Sequence, residues 1–90
     1  MNNAGLPGTN HVKVLFFATL RDKAGTRSVE VDLQAGATIE QLKGRLVSEF
    51  PGLAGLMEHC LASINHEYRF DESEIPGQAE IAFFPPVSGG

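Results

Sequence analysis

Two apolar runs of period two, one stripe of helical spacing and a further set of short alternating segments predict an α+β domain. Val12, Val14 and Phe16 alternate with Lys13, Leu15 and Phe17, and Val29, Val31 and Leu33 alternate with Glu30 and Asp32. In a strand, successive side chains point to opposite faces, so each run lays one apolar face on a core while Lys13, Glu30 and Asp32 mark the solvent side. Ile39, Leu42, Leu46, Val47 and Phe50 instead follow the spacing of a helix that covers one face of a sheet.

Residues 1–10, with Gly5, Pro7, Gly8 and three asparagines, lack apolar periodicity and read as a flexible leader, so the folded domain is expected to span 11–84. The first strand places the valines inward and leaves Leu15 and Phe17 on the outer face. Arg21 to Thr26 reads as a loop around Gly25, which makes the first two strands a β-hairpin. Gly36 ends the second strand. Thr38 followed by Gln41 matches a capping box, in which the two side chains satisfy free backbone donors at a helix start, so a helix begins near Ile39. Glu40, Lys43, Arg45 and Glu49 then fall on its solvent side, and Pro51-Gly52 ends it. Residues 53–60 allow a short helical turn.

Leu61 to Asn65 and Glu67 to Phe70 are strand candidates hinged at Asn65-His66, and Pro76-Gly77 supplies a turn before the last strand. There Ile81 and Phe83 point inward, while Glu80, Ala82 and Phe84 point outward. Hairpin, helix and further strands in this order suit the β-grasp, or ubiquitin-like, arrangement: a mixed sheet with one main helix packed on one face. Periodicity supports the order of elements. That the first and last strands are parallel neighbours at the centre is what the fold resemblance adds.

Composition narrows the function. Ninety residues bury only about 60% of the unfolded surface, so chemistry is expected at an edge rather than in a deep internal site. A net charge of -4 and only seven Lys or Arg argue against nucleic acid and for a protein partner. One cysteine, Cys60, rules out an internal disulfide framework and suits a reducing compartment; with no secretory signal and no spanning segment, a cytoplasmic protein that uses no membrane is expected.

The last stretch carries the sharpest functional signal. Phe84 meets Pro85 and Pro86, which stiffen the chain, and residues 85–90 form an extended tail through Val87 and Ser88 to Gly89-Gly90. Six residues reach about 20 Å, enough to thread a narrow channel and place a terminal carboxylate at its end. Beside the root of this tail, Phe17 and Phe84 are expected to form an exposed apolar patch with Leu15, extended by Tyr68. Cys60 lies in an apolar context that suits a small buried hydrophobe better than a persulfide site. Neither His59 nor the other two histidines shows zinc-type spacing. Arg21 suits either a partner carboxylate or a solvated loop, and Asp71, Glu72 and Glu74 read as a soluble acidic turn.

Val14-Leu15-Phe16-Phe17-Ala18 with Arg21 shortly after, together with Ala82-Phe83-Phe84-Pro85-Pro86-Val87-Ser88-Gly89-Gly90, resembles the small subunit of molybdopterin synthase, the MoaD family. The resemblance covers nearly everything after Asn10. It implies a sulfur carrier that acts as the sulfur-donating subunit of a sulfurtransferase, with the catalytic pocket in a large partner subunit and the two assembled as a heterotetramer. A ubiquitin-activating-like adenylyltransferase, using ATP, would activate the Gly90 carboxylate. Sulfur would then form a thiocarboxylate and pass to a cyclic pyranopterin monophosphate, building the dithiolene that later holds molybdenum. No cofactor is implied on the carrier itself. By this resemblance Gly90 and Gly89 are the reacting end, and Phe17, Tyr68, Phe84, Pro85, Pro86, Val87 and Ser88 the partner-binding residues. The rivals are a thiazole-pathway sulfur carrier, disfavoured by Phe83-Phe84-Pro85-Pro86, and a ubiquitin-like modifier joined to target lysines through Gly90.

Overall fold

In the computed structural model, residues 8–86 are described. The elements run β1 (Thr9–Phe16), α1 (Thr19–Ala24), β2 (Ser28–Gln34), α2 (Ile39–Glu49), β3 (Leu61–Ile64), β4 (Glu67–Arg69) and β5 (Glu80–Phe84), with 3-10 turns at Pro51–Leu53 and Met57–His59 between α2 and β3. The five strands form one mixed sheet in the order β2-β1-β5-β3-β4. β1 pairs antiparallel with β2 and parallel with β5, whose other side is taken by β3. This is the β-grasp arrangement. No helix among the described residues is long and apolar enough to cross a membrane.

The inner face follows the predicted phase. Val12, Val14, Ile81 and Phe83 are fully buried, and Ile39, Leu42 and Leu46 of α2 meet them without exposure to water. Thr38 Oγ1 accepts from the Gln41 N–H at 3.3 Å, and Gln41 Oε1 accepts from the Thr38 N–H at 2.9 Å, so the capping box is complete. The segment before β5 satisfies two more free donors of the helix: Ile39 N–H donates to Ser73 O at 3.1 Å, and Glu40 N–H to Asp71 O at 2.9 Å.

Four details depart from the sequence reading. β1 begins at Thr9, which pairs with Gln34, so sheet pairing reaches into the stretch expected as a leader. Residues 21–26 are not simply a loop, because α1 occupies Thr19–Ala24 and buries Leu20 completely. Six residues are too few to show a helical period, and the helix is closed by Gly25 in the left-handed conformation, φ 77°. Lys43 is buried rather than solvent-facing: its Nζ donates to Cys60 O at 3.0 Å and pairs with Asp71 at 2.9 Å. A long aliphatic stem can lie along apolar surface when its head finds such partners. Finally, Ala82 is only 8% exposed although it lies on the outer face, a point taken up below.

Two turns explain their residues. Asn65 and His66 both have positive φ, 50° and 75°, as a two-residue type I′ hairpin demands, and Asn65 Oδ1 accepts from Glu80 N–H at 2.9 Å. At Gly52 a Cβ would come within 2.7 Å of the Lys23 carbonyl, so only glycine lets the first 3-10 turn abut α1.

On the outer face, His11 donates from Nδ1 to Asp32 at 2.6 Å and from Nε2 to Glu30 at 2.5 Å. Ionised carboxylates can only accept, so both bonds favour the protonated ring, and Glu30 first and then Asp32 raise its pKa above 6.5. A folded pKa above the unfolded one means that the stabilisation is complete below the unfolded pKa and is lost as pH rises through the folded value. Glu30→Gln should therefore lower the His11 titration midpoint followed by NMR; an unmoved midpoint would show that the pair does not form in solution. Leu46→Ala, which empties a fully buried position, should cost about 2 to 5 kcal/mol and lower Tm. An unchanged melting curve would place α2 in a different phase.

Candidate functional site

Because β1 and β5 run parallel in the register Phe16↔Phe83, the residues that follow, Phe17 and Phe84, emerge side by side at the same end of the sheet. Their rings stack, with centroids 4.9 Å apart and planes inclined by 12°. Tyr68 of β4 meets Phe84 edge-on at 6.0 Å and 61°. The side chains expected to share a patch are thus in contact, and the outward phase of β1 and β5 is as the alternation predicts. Phe17 and Tyr68 are 42% and 71% exposed, far more than aromatic rings at the edge of a core, while Phe84 and Pro85 are half-buried and Pro86 exposed.

Leu61 belongs to the same face and sequence reading missed it. It is directly opposite Phe84 in the β3–β5 pairing and remains 47% exposed. The available signal was its place at the outer phase of a strand whose Ala62 and Ile64 face the core, but strand order was needed to set it beside Phe84. Below the rings, Ala82 and Ser63 are neighbours across β5 and β3, and both are nearly inaccessible. Their small side chains floor a groove of about 210 Å³ lined also by Leu15, His66 and Glu80. A larger, shallow groove of about 690 Å³, lined by Thr9, Lys13, Gly77 and Gln78 among others, lies at the opposite end of β1 and β5, away from the tail root.

Val87, Ser88, Gly89 and Gly90 lie outside the described residues. β5 ends at Phe84 and Pro85 and Pro86 follow it, so the chain leaves the sheet beside the stacked rings.

Cys60 is 6% exposed, its thiol donates to Leu56 O at 3.2 Å, and burial pushes its pKa up, opposed by the nearby Lys43 cation. It is consequently held as a thiol rather than a nucleophilic thiolate. Among the described residues no cluster of three His, Cys, Asp or Glu is placed to hold a metal. Of the acidic turn, Asp71 is engaged by Lys43, and Glu74 forms a backbone bridge to Thr38. Arg21 is exposed on α1, where its carbonyl accepts the closing bond from Gly25.

Fold and tail root together define a ubiquitin-like β-grasp protein with an aromatic face beside its C-terminal segment. The ThiS family model matches residues 14–90. A curated relative from Chlamydomonas reinhardtii, a molybdopterin synthase sulfur carrier subunit, is 35% identical over 81 residues, spanning 88% of this chain and 98% of that one. The chain belongs to the ThiS family, among the molybdopterin synthase sulfur carrier subunits. Among solved structures, SAMP1 from Haloferax volcanii superposes with a TM-score of 0.78 at 31% identity, covering 90% of this chain and all of that one. The fold also matches a chain of the complex of subunits 1 and 2 of molybdopterin-converting factor from Helicobacter pylori, with a TM-score of 0.62 at 20% identity, covering 89% and 99%.

The exposed rings add little to the core, which closes beneath them through Phe83 and Ile81. Phe84→Asp should therefore leave circular dichroism unchanged and yield a folded monomer. An unfolded variant would show that Phe84 is a core residue.

Proposed function

We propose that this chain delivers sulfur from a thiocarboxylate at Gly90 to a cyclic pyranopterin bound by a large synthase subunit. The observation that carries the reading is the stacked Phe17–Phe84 pair, with Tyr68 and Leu61 around it, at the point where the tail leaves β5. An exposed aromatic cluster of this kind is suited to docking, since rigid aromatic anchors supply most of the binding energy of protein interfaces. Docking there would leave Pro85 and Pro86 at the mouth of the partner's channel, with the diglycine leading the tail into it. The Helicobacter pylori complex of subunits 1 and 2 supports a large-subunit partner for this fold.

The chemistry assigned to Gly90 follows from what a carboxylate can do. With an ordinary pKa of about 3.5 it is anionic at pH 7 and resists nucleophilic attack, so activation has to come from a separate adenylating enzyme that spends ATP. The acyl adenylate exchanges AMP for sulfur, giving a thiocarboxylate whose polarizable anion is the better nucleophile. Attack of that sulfur on the pterin leaves the carrier joined to it through a thioester, and water then cleaves the acyl C–S bond, so that the sulfur stays on the pterin and the carbonyl carbon regains an oxygen. The groups that bind and orient the pterin then belong to the large subunit, and the carrier contributes the sulfur atom and the docking face, with no cofactor of its own.

A second reading, attachment to target lysines, is favoured by the likeness to SAMP1, a small archaeal modifier protein. One experiment separates them. Incubation with an activating enzyme, ATP and a sulfur donor should raise the intact mass by one oxygen-to-sulfur exchange within the C-terminal peptide. Adding a large synthase subunit and the pyranopterin should return it to the carboxylate mass as product forms. Isopeptide-linked conjugates with no mass return would favour modification, and a thiocarboxylate that serves only a thiazole precursor would reassign the pathway.

A further inference from the structure

The groove beside the stacked rings is amphipathic, and its two ends differ in chemistry. At one end are Phe17, Phe84 and Tyr68; at the other, on the same face of β5 and four residues earlier, is Glu80. Four residues of strand are about 13 Å. Between them the floor is Ala82 and Ser63, whose small side chains leave the space open. At about 210 Å³ the groove is smaller than the usual range for small-molecule sites, and it suits a single long side chain.

Glu80 has no strong counterion among the described residues. Among the described residues its one ion-pair contact within 4 Å is His66, at 3.6 Å, too long for a hydrogen bond, and the His66 side chain is itself 87% exposed. Lys13 is opposite Glu80 in the β1–β5 register and lies on the same face, yet the two do not form an ion pair. The result is a carboxylate without a good partner at the end of an aromatic-walled slot, on a protein whose net charge is -4.

We infer that this groove receives a basic side chain, arginine by its shape, from the protein that docks on the aromatic face. The inference rests on the docking reading above and adds the partner's chemistry to it. A long aliphatic stem would lie over Ala82 and Ser63 against the rings, as such stems do on apolar surface. Its planar head, reaching past the rings, can offer paired N–H donors to the Glu80 carboxylate, which an ammonium cannot do as well. Glu80 is then a specificity residue: the rings admit many apolar partners, and the carboxylate selects those that carry a cation at this distance.

The test measures Kd for the full chain with a cognate large subunit at several salt concentrations. Glu80→Gln keeps the size of the side chain and removes its charge, and should weaken binding about tenfold at low salt while flattening the salt dependence. Glu80→Lys should weaken it further. Glu58→Gln, an exposed carboxylate on the α2 side of the molecule, serves as control and should change neither. Phe84→Asp should weaken binding at every salt concentration. If Phe84→Asp weakens binding while Glu80→Gln leaves both Kd and its salt slope unchanged, the arginine socket is wrong and the docking face stands. If neither variant changes Kd, the docking reading falls with it.

Discussion

Four residue pairs, from Lys13↔Glu80 to Phe16↔Phe83, hold the first and last strands parallel at the centre of the sheet, and the rest of the molecule is arranged around that contact. It joins residues more than sixty positions apart, so the chain between them must be closed before the pairing contributes anything. Much of the intervening sequence serves that closure. α2 buries Ile39, Leu42 and Leu46 against the inner face, the Asn65–His66 turn is tied to β5 through Glu80 N–H, and the segment preceding β5 crosses the N-terminus of α2. The same pairing decides what the outer face presents. Parallel strands finish at the same end of a sheet, and so the side chain after Phe16 and the one after Phe83 become neighbours without any further device.

Most of this was legible in residue pattern because it depends on local periods. Alternation set the inner and outer faces of β1, β2 and β5, and Thr38 with Gln41 marked the helix start. What was not legible depends on neighbours brought together from a distance. Lys43 is polar and sits beside the apolar stripe, and only the positions of Cys60 O and Asp71 show why its charge can be buried. Leu61 is an unremarkable strand-start residue until the β3–β5 register sets it opposite Phe84. The parallel order came from resemblance, since alternation is identical in parallel and antiparallel strands. α1 was lost for a different reason: it is one and a half turns long, and its single core residue, Leu20, gives no period to detect.

Burial divides the molecule into two parts with different duties. The inner face is filled by large side chains with no access to water, and its polar intruder, Lys43, is satisfied. On the outer face the arrangement is reversed, with large rings at the surface and small residues, Ala82 and Ser63, beneath. A domain selected for stability alone would place bulk below and polarity above. Apolar rings left in water are a solubility liability on a free monomer, and they are normally retained where something covers them.

This inverted packing also keeps stability and exposure apart in a protein of ninety residues. The core does not depend on Phe17, Tyr68 or Leu61, because the side chains beneath the sheet are closed without them. Docking on that face therefore need not disturb the fold, and the free energy of association can go into holding the tail in place. Pro85 and Pro86 reduce the freedom that remains to be lost at that step, since their φ angles are restricted before a partner arrives. Beyond them the glycines have no side chain that must be accommodated, so on the proposed reading the width of the partner's channel, and not any feature of the carrier's core, would set which tails can enter. On the docking proposed above, affinity and access are separated along one strand and its continuation: the rings and Glu80 would select the protein that is met, and the last residues would set what chemistry can follow.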